Sequence, residues 1–142
     1  MHRIHLKGPW LYEWLDGPHG EADESHCADG KIKMPNSWHH HFGNVTGKVL
    51  LRRRFHWIAQ LDDGEKVFVV LTAVTGLANV SVNNLALGEV STTEERARFE
   101  ITSLLEANNW LEVELECQQP IDDPARSGLW GPVALEVGSP YE

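Results

Sequence analysis

The segment Leu111-Glu112-Val113-Glu114-Leu115-Glu116-Cys117 decides the fold class of this chain, because apolar and acidic residues alternate along it without a break. Successive side chains of a β-strand point to opposite faces of its sheet, so the alternation predicts a strand with one buried face and one face in water. The three glutamates share the wet face, where like charges repel and no partner for them is evident. We therefore interpret this face as a solubility feature rather than as a site.

Other segments carry the strand signal in different forms. In residues 49–57 the alternation places Arg53 on the apolar, inward face, where an unpaired charge is costly, so a carboxylate partner is expected. Residues 67–71 are apolar throughout, which predicts a central strand covered on both faces. Asn83-Asn84 follows another alternating run and predicts a tight hairpin, because asparagine tolerates positive φ.

Short strands and turns are predicted for most of the remaining chain. Thr102 is expected to cap a single helical turn, and the polar residues 16–29 are assigned to a loop. The sequence contains no repeat, interdomain linker or long amphipathic helix. This pattern predicts a single all-β domain over residues 1–142, an antiparallel β-sandwich with further strands at residues 3–7, 10–15, 78–82, 98–101 and 133–137.

Charge and composition exclude several classes of function. The 142 residues include 12 Lys plus Arg and 21 Asp plus Glu, a formal net charge of −9, which argues against nucleic acid or an anionic membrane as a partner. The first residues contain neither a signal-peptide core nor the run of about 20 apolar residues that a membrane span needs. We therefore expect a cytoplasmic location for the chain as it stands, and an extracytoplasmic one if a leader was removed.

Four segments of the chain carry a family pattern. They are Met34-Pro35-Asn36-Ser37-Trp38, residues 47–55, residues 67–115 with their Asn83-Asn84 turn, and residues 127–136, which begin Ser127-Gly128-Leu129-Trp130. Taken in order, these segments resemble the N-terminal sugar-binding domain of glycoside hydrolase family 2, the β-galactosidase and β-glucuronidase family. The resemblance is strongest over residues 34–137.

This resemblance implies a jelly-roll sandwich of the galactose-binding-domain-like type and an accessory role. In that family the catalytic glutamates lie on a separate barrel of about 250 residues, so no catalytic residue is expected in this chain. Gly131 stands where the family commonly has Arg, and residues 116–119 replace an Asp-Asn pair near the family's catalytic pocket. The implied partners are a saccharide ligand and a catalytic barrel domain in a longer chain.

Sugar-binding candidates follow from what a saccharide offers, namely C–H faces that stack on indole rings and hydroxyls that need polar neighbours. Two neighbourhoods in the sequence combine both kinds of group. They give the carbohydrate-binding candidates Trp38, His39 and His40, and the candidates Asp123, Arg126 and Trp130. The competing interpretation, which we favour for each ring taken alone, is that the two tryptophans plug the ends of the sandwich.

Other chemistry-bearing residues have simpler interpretations. The run His39-His40-His41 is a poor metal site, because neighbours in an extended chain point to opposite sides, and we interpret it as a solvated loop that changes charge at about pH 6.5. Asp62-Asp63 and Asp122-Asp123 each precede a turn residue rather than forming a catalytic pair. No nucleophile elbow or phosphate-binding loop is evident, so we expect no metal, no cofactor and no enzymatic activity.

The leading hypothesis is a non-catalytic, carbohydrate-binding accessory domain. Two alternatives stay open at this point. One is a structural or protein-interaction β-sandwich with no saccharide ligand, and the other is a non-catalytic part or subunit of a larger glycosidase.

Overall fold

Two antiparallel β-sheets form the framework of the protein. The computed structural model describes residues 2–20, 30–57, 60–93, 95–118 and 123–138. Within these ranges four strands form one sheet and six form the other, and neighbouring strands are antiparallel throughout. The predicted all-β antiparallel sandwich is confirmed.

The chain passes several times between the two sheets. The four-stranded sheet has the order β1 (His2–His5), β10 (Val133–Gly138), β5 (Lys66–Leu71), β8 (Ala97–Glu100). The six-stranded sheet has the order β3 (Lys31–Ile32), β2 (Trp10–Gly20), β4 (Val45–His56), β9 (Asn108–Cys117), β6 (Val74–Val82), β7 (Leu85–Thr93).

Among the residues that the structure describes, helical structure is confined to short pieces. One α-helix, α1 (Trp38–Phe42), and two 3-10 helices, Thr102–Leu104 and Pro124–Arg126, occur among the described residues. No helix in that part of the chain is long and apolar enough to span a membrane.

The core lies between the sheets and is built from the inward faces that the alternation predicted. Val49 and Leu51 of β4 and Leu111 and Val113 of β9 are each at most 1% exposed. β5 lies between β10 and β8, and it is covered on both faces, because Val69 faces the core while Val70 on its other side is 2% exposed. The predicted buried faces of β4 and β9 and the predicted cover on both faces of β5 are therefore confirmed.

The polar stretch after residue 15 is partly strand rather than loop. β2 continues to Gly20, where Asp16 pairs with Lys48 and His19 with Thr46 across two irregularities in the register. The loop prediction is wrong for residues 16–20. Backbone pairing with β4 keeps this segment in a strand although it has no apolar face of its own. Residues 21–29, the rest of the predicted loop, lie outside the described residues.

The acidic face of β9 has partners that the sequence did not reveal. The Glu112 carboxylate lies 3.5 Å from Arg52 Nε, and the Glu114 carboxylate lies 3.5 Å from Lys48 Nζ. The antiparallel register with β4 supplies both basic residues. The guanidinium of Arg52 also lies 4.4 Å from the ring centroid of Trp110. The expectation that no partner exists is therefore wrong for Glu112 and Glu114.

Arg53 is half-buried rather than buried on the inward face, and its partners are backbone oxygens. Its Nε donates to the carbonyl oxygen of Lys7 at 2.7 Å, and a second guanidinium nitrogen donates to the carbonyl oxygen of Arg54. No ion pair of Arg53 occurs within the described ranges, so the expected carboxylate is wrong. Carbonyl oxygens satisfy the guanidinium donors without requiring a second buried charge.

The predicted hairpin is confirmed, while the predicted helix cap is wrong. Asn83 and Asn84 have φ values of +51° and +67°, and they join β6 to β7 directly. The Asn83 amide also donates to the Leu104 carbonyl oxygen and to Asn109 Oδ1, both at 2.9 Å. A helical turn does begin at Thr102, but the Thr102 hydroxyl accepts from the Val67 backbone N–H at 2.9 Å instead of capping the turn.

A buried acid lies on the outer side of the four-stranded sheet. The Glu136 side chain is 1% exposed, and its carboxylate forms ion pairs with Arg3, with Arg96 at 3.2 Å and with Arg98 at 3.5 Å. The guanidinium of Arg98 lies 4.2 Å from the ring centroid of Phe68. Three half-exposed arginines thus cover one carboxylate and close this face of the sheet.

Candidate functional site

The three consecutive histidines belong to α1, at one end of the sandwich. Ser37 caps the helix by accepting from the His40 backbone N–H at 3.1 Å. Gly43, with φ +83°, ends the helix and donates its N–H to the His39 carbonyl oxygen at 2.8 Å. The prediction of a solvated loop is wrong here, because a serine N-cap and a glycine after the last turn are the signals that bound a helix.

The second candidate neighbourhood is joined directly to α1. The Ser127 carbonyl oxygen accepts from the Trp38 backbone N–H at 2.7 Å, and the Ser127 hydroxyl accepts from the His39 backbone N–H at 3.1 Å. That hydroxyl in turn donates to the Pro124 carbonyl oxygen at 2.9 Å, which fixes the 3-10 helix Pro124–Arg126 beside α1. The structure therefore brings the two predicted neighbourhoods together at one end of the sandwich.

Trp38 contributes packing at this end and offers no free ring face. It is 1% exposed, and its indole N–H donates to the Val45 carbonyl oxygen at 2.8 Å. Its ring lies edge to face against Trp14 and Phe42, with centroid separations of 5.6 and 4.9 Å. A sugar cannot stack on this ring unless the aromatic cluster opens.

Trp130 is half-buried and lies among exposed charged groups. Its indole N–H donates to the Thr75 hydroxyl at 3.2 Å, which fixes the ring. The Arg126 guanidinium lies 5.8 Å from the ring centroid and 3.8 Å from the carboxylate of Asp123. A fixed indole beside a guanidinium and a carboxylate can stack on a sugar face while both charged groups bind hydroxyls.

A groove of about 580 Å³ lies beside α1. We call it the α1 groove, and its lining residues are Lys31, Ile32, Lys33, Asn36, His39, His40 and His41. The sequence analysis named His39 and His40 as candidates but missed the groove that they line. Lys31-x-Lys33 was a further local signal, and nothing in the sequence indicated that this pair lies beside the histidines.

His41 is the buried member of the α1 groove. The residue is 7% exposed, and its Nε2 has no hydrogen-bond partner. Burial and the neighbouring His40 lower the pKa of His41 to about 4, against a raising effect from its hydrogen bond to the Asn36 backbone. The imidazole is therefore neutral at physiological pH. Within the described ranges, no three His, Cys, Asp or Glu residues are grouped to hold a metal ion.

A second polar groove, of about 500 Å³, lies on the outer face of the six-stranded sheet. Its lining includes Asn79, Ser81 and Asn84 together with Glu112 and Glu114. Hydroxyl, amide and carboxylate groups of this kind also bind sugars, but both glutamates already have basic partners on β4.

Comparison with solved structures identifies domains that share this fold. No family sequence model matches the chain, and no curated protein matches it. Solved structures do match. An FMN-binding β-glucuronidase from Facaelibacterium prausnitzii superposes with a TM-score of 0.75 and 19% identity over 97% of this chain and 22% of its own.

Two further glucuronidases show the same relationship. The β-glucuronidase of an uncultured Clostridium sp. has a TM-score of 0.73 and 17% identity, covering 98% of this chain and 29% of its own. The Bifidobacterium dentium β-glucuronidase complexed with coumarin-3-O-glucuronide has a TM-score of 0.72 and 21% identity, covering 97% and 30%. The chain thus has the fold of one β-sandwich domain of such enzymes and spans less than a third of their length. The resemblance predicted from the sequence is confirmed at the level of the fold.

Proposed function

We propose that this chain is a non-catalytic, carbohydrate-binding accessory domain that belongs to glycoside hydrolase family 2. Two independent observations support membership, namely the four sequence motifs in their family order and the shared sandwich fold. The accessory role is supported by the fraction of the glucuronidases that the chain matches, which is less than a third of each. A catalytic barrel domain is the proposed partner.

The observation that carries sugar binding is the group formed by Trp130, Arg126 and Asp123. The hydrogen bond to the Thr75 hydroxyl fixes the indole, and the side chains of Arg126 and Asp123 are about 60% exposed. The indole would stack on one face of the sugar, and the guanidinium and the carboxylate would each bind two hydroxyls at the edge of the ring. Contacts of this number give weak binding, with dissociation constants on the order of millimolar. His39 and His40 lie on the helix docked against this segment, and they are proposed as further hydroxyl contacts.

Calorimetric titration with a set of neutral and acidic monosaccharides tests this proposal. We expect at least one sugar to bind, and the Trp130→Ala variant to lose roughly tenfold or more in affinity. Trp110→Ala is the matched control, because Trp110 is also half-buried but lies under Arg52 on the outer face of the six-stranded sheet.

Two results contradict the proposed function, and a third contradicts the proposed site. If no saccharide binds the folded chain at millimolar concentration, the chain is a structural or protein-interaction sandwich instead. If pure chain hydrolyses aryl glycosides, the non-catalytic role is wrong. Binding that Trp110→Ala removes and Trp130→Ala preserves moves the site to the outer sheet face.

A further inference from the structure

Three arginines gather around one buried carboxylate on the outer face of the four-stranded sheet. Arg3 and Arg96 donate to the same oxygen of Glu136, and Arg98 Nε lies 3.5 Å from its other oxygen. The carboxylate is 1% exposed, whereas the three arginine side chains are between 41 and 47% exposed. The acid therefore lies beneath the guanidinium groups and holds them together, although their like charges repel one another.

Each guanidinium group keeps donors for a second partner. A guanidinium has five N–H donors, and the contact with Glu136 uses one nitrogen of each arginine. Because each side chain is almost half exposed, other nitrogens of these groups lie at the surface, where an anion in solution can reach them. We call Arg3, Arg96 and Arg98 the arginine cluster.

The surroundings of the arginine cluster offer charge rather than an aromatic platform. Glu100 lies two residues after Arg98 on β8 and therefore points to the same face, where its carboxylate is 3.4 Å from Lys66 Nζ. The ring of Phe68 lies under the Arg98 guanidinium, 4.2 Å from the ring centroid, so it is covered and does not offer a face on which a nucleotide base could stack. Anions that bind through charge and hydrogen bonds fit this face better than nucleic acid does.

We propose that the arginine cluster docks a carboxylate-rich peptide segment of a partner protein. One carboxylate at exposed arginines gains little affinity, but several carboxylates linked in one peptide bind together, each through paired hydrogen bonds to a guanidinium. The net charge of −9 does not prevent this docking, because charges farther away than the Debye length, about 8 Å at physiological ionic strength, are largely screened. The inference is independent of the proposed sugar binding.

The test compares three anions in calorimetric titrations of the full chain. Hexaglutamate carries linked carboxylates, hexathymidylate carries linked phosphates with bases, and inorganic phosphate is a small anion. We expect hexaglutamate to bind roughly tenfold more tightly than either of the others, and we expect salt at roughly 0.5 M to weaken its binding several-fold.

Loss-of-charge variants assign the binding to the arginine cluster. Arg3→Gln and Arg96→Gln each leave two arginines at Glu136, and each is expected to weaken hexaglutamate binding about three- to tenfold. Arg54→Gln is the matched control, because Arg54 is an exposed arginine on the other sheet, where it donates to Asn108 Oδ1 at 3.2 Å. We expect this control to bind hexaglutamate as the unsubstituted chain does.

A gain-of-affinity variant gives a result that misfolding cannot imitate. Glu100→Gln removes a negative charge from the face of the arginine cluster and releases Lys66, so it is expected to tighten hexaglutamate binding about two- to threefold. Glu89→Gln is its matched control, because it changes the net charge equally at an exposed position of β7 on the other sheet. We expect no tightening in this control.

Four results overturn the inference. They are no binding of hexaglutamate, phosphate binding as tight as that of hexaglutamate, tighter binding of hexathymidylate, and equal effects of the cluster variants and their matched controls. The second result makes the arginine cluster a small-anion site, and the third makes it a nucleic-acid surface. None of the four bears on sugar binding, which saccharide titration tests separately.

Discussion

The buried imidazole of His41 makes the stability of the protein depend on pH. Its pKa is about 4 in the folded protein and 6.5 in the unfolded chain, chiefly because burial disfavours the charged ring. Between these values the unfolded chain binds more protons than the folded protein. Stability therefore rises with pH in this window: the contribution is complete above pH 6.5 and is lost as the pH falls toward 4.

The size of the effect follows from the two pKa values. A difference of one pKa unit corresponds to about 1.4 kcal/mol, so the full contribution is about 3 kcal/mol, and about 2.5 kcal/mol is lost by roughly pH 4.5. This is a large fraction of the stability of a domain of this size, which is typically about 5–15 kcal/mol.

Urea denaturation of the chain and of a His41→Phe variant, at several pH values between about 4.5 and 7.5, measures this contribution. The variant loses the packing and hydrogen bond of the imidazole at every pH. It also lacks the change in unfolding free energy that protonation of the imidazole causes. The carboxylates titrate in both proteins, so they cancel in the difference between the two stability curves.

A His39→Gln variant is the matched control, because it removes a histidine from the same helix while retaining His41. We expect it to keep the full pH slope. If the stability difference between the chain and His41→Phe changes by less than about 0.5 kcal/mol over this range, the assignment of a low pKa to His41 is wrong.

Three further predictions concern stability, and urea denaturation checks each of them. Glu136→Gln removes the carboxylate shared by three arginines and is expected to cost about 2 kcal/mol; Glu100→Gln, an exposed control on the same sheet, should change stability by less than about 0.5 kcal/mol. Gly128→Ala is expected to cost about 2–3 kcal/mol, because φ is +70° and the new Cβ lies 2.7 Å from the Cβ of the tryptophan that begins α1. An unchanged midpoint contradicts that clash. Asn83→Ala is expected to cost about 2 kcal/mol, because the hydrogen bonds of its side chain are lost. Asn84→Gly should be neutral or slightly stabilising. Equal losses of stability at the two positions refute this distinction.

The sandwich could be predicted from the sequence because the signals for its strands and turns are local. Alternation along β4 and β9 identifies the buried face of each strand, and two asparagines that tolerate positive φ identify the hairpin between β6 and β7. The resemblance motifs added the class of fold. These signals lie within a few residues of one another, so a single sequence is sufficient to detect them.

The predictions that failed are those that depend on which distant segments of the chain contact each other. The basic partners of Glu112 and Glu114 come from β4, about 60 residues earlier in the chain, through a register that no local pattern specifies. The same limit explains the α1 groove, since Lys31 comes from a strand of two residues and His41 from a helix of five. Trp130 and Arg126 were found because they are neighbours in sequence.

The hydrogen bond from the His39 N–H to Ser127 joins residues that are 88 positions apart in the chain. Closing a loop of this length costs conformational entropy before the contact contributes. The end of the sandwich that holds both candidate sites is therefore complete only when the segment before β10 has docked. A ligand that binds there, as proposed, stabilises this docking by mass action and so links two segments from opposite halves of the chain.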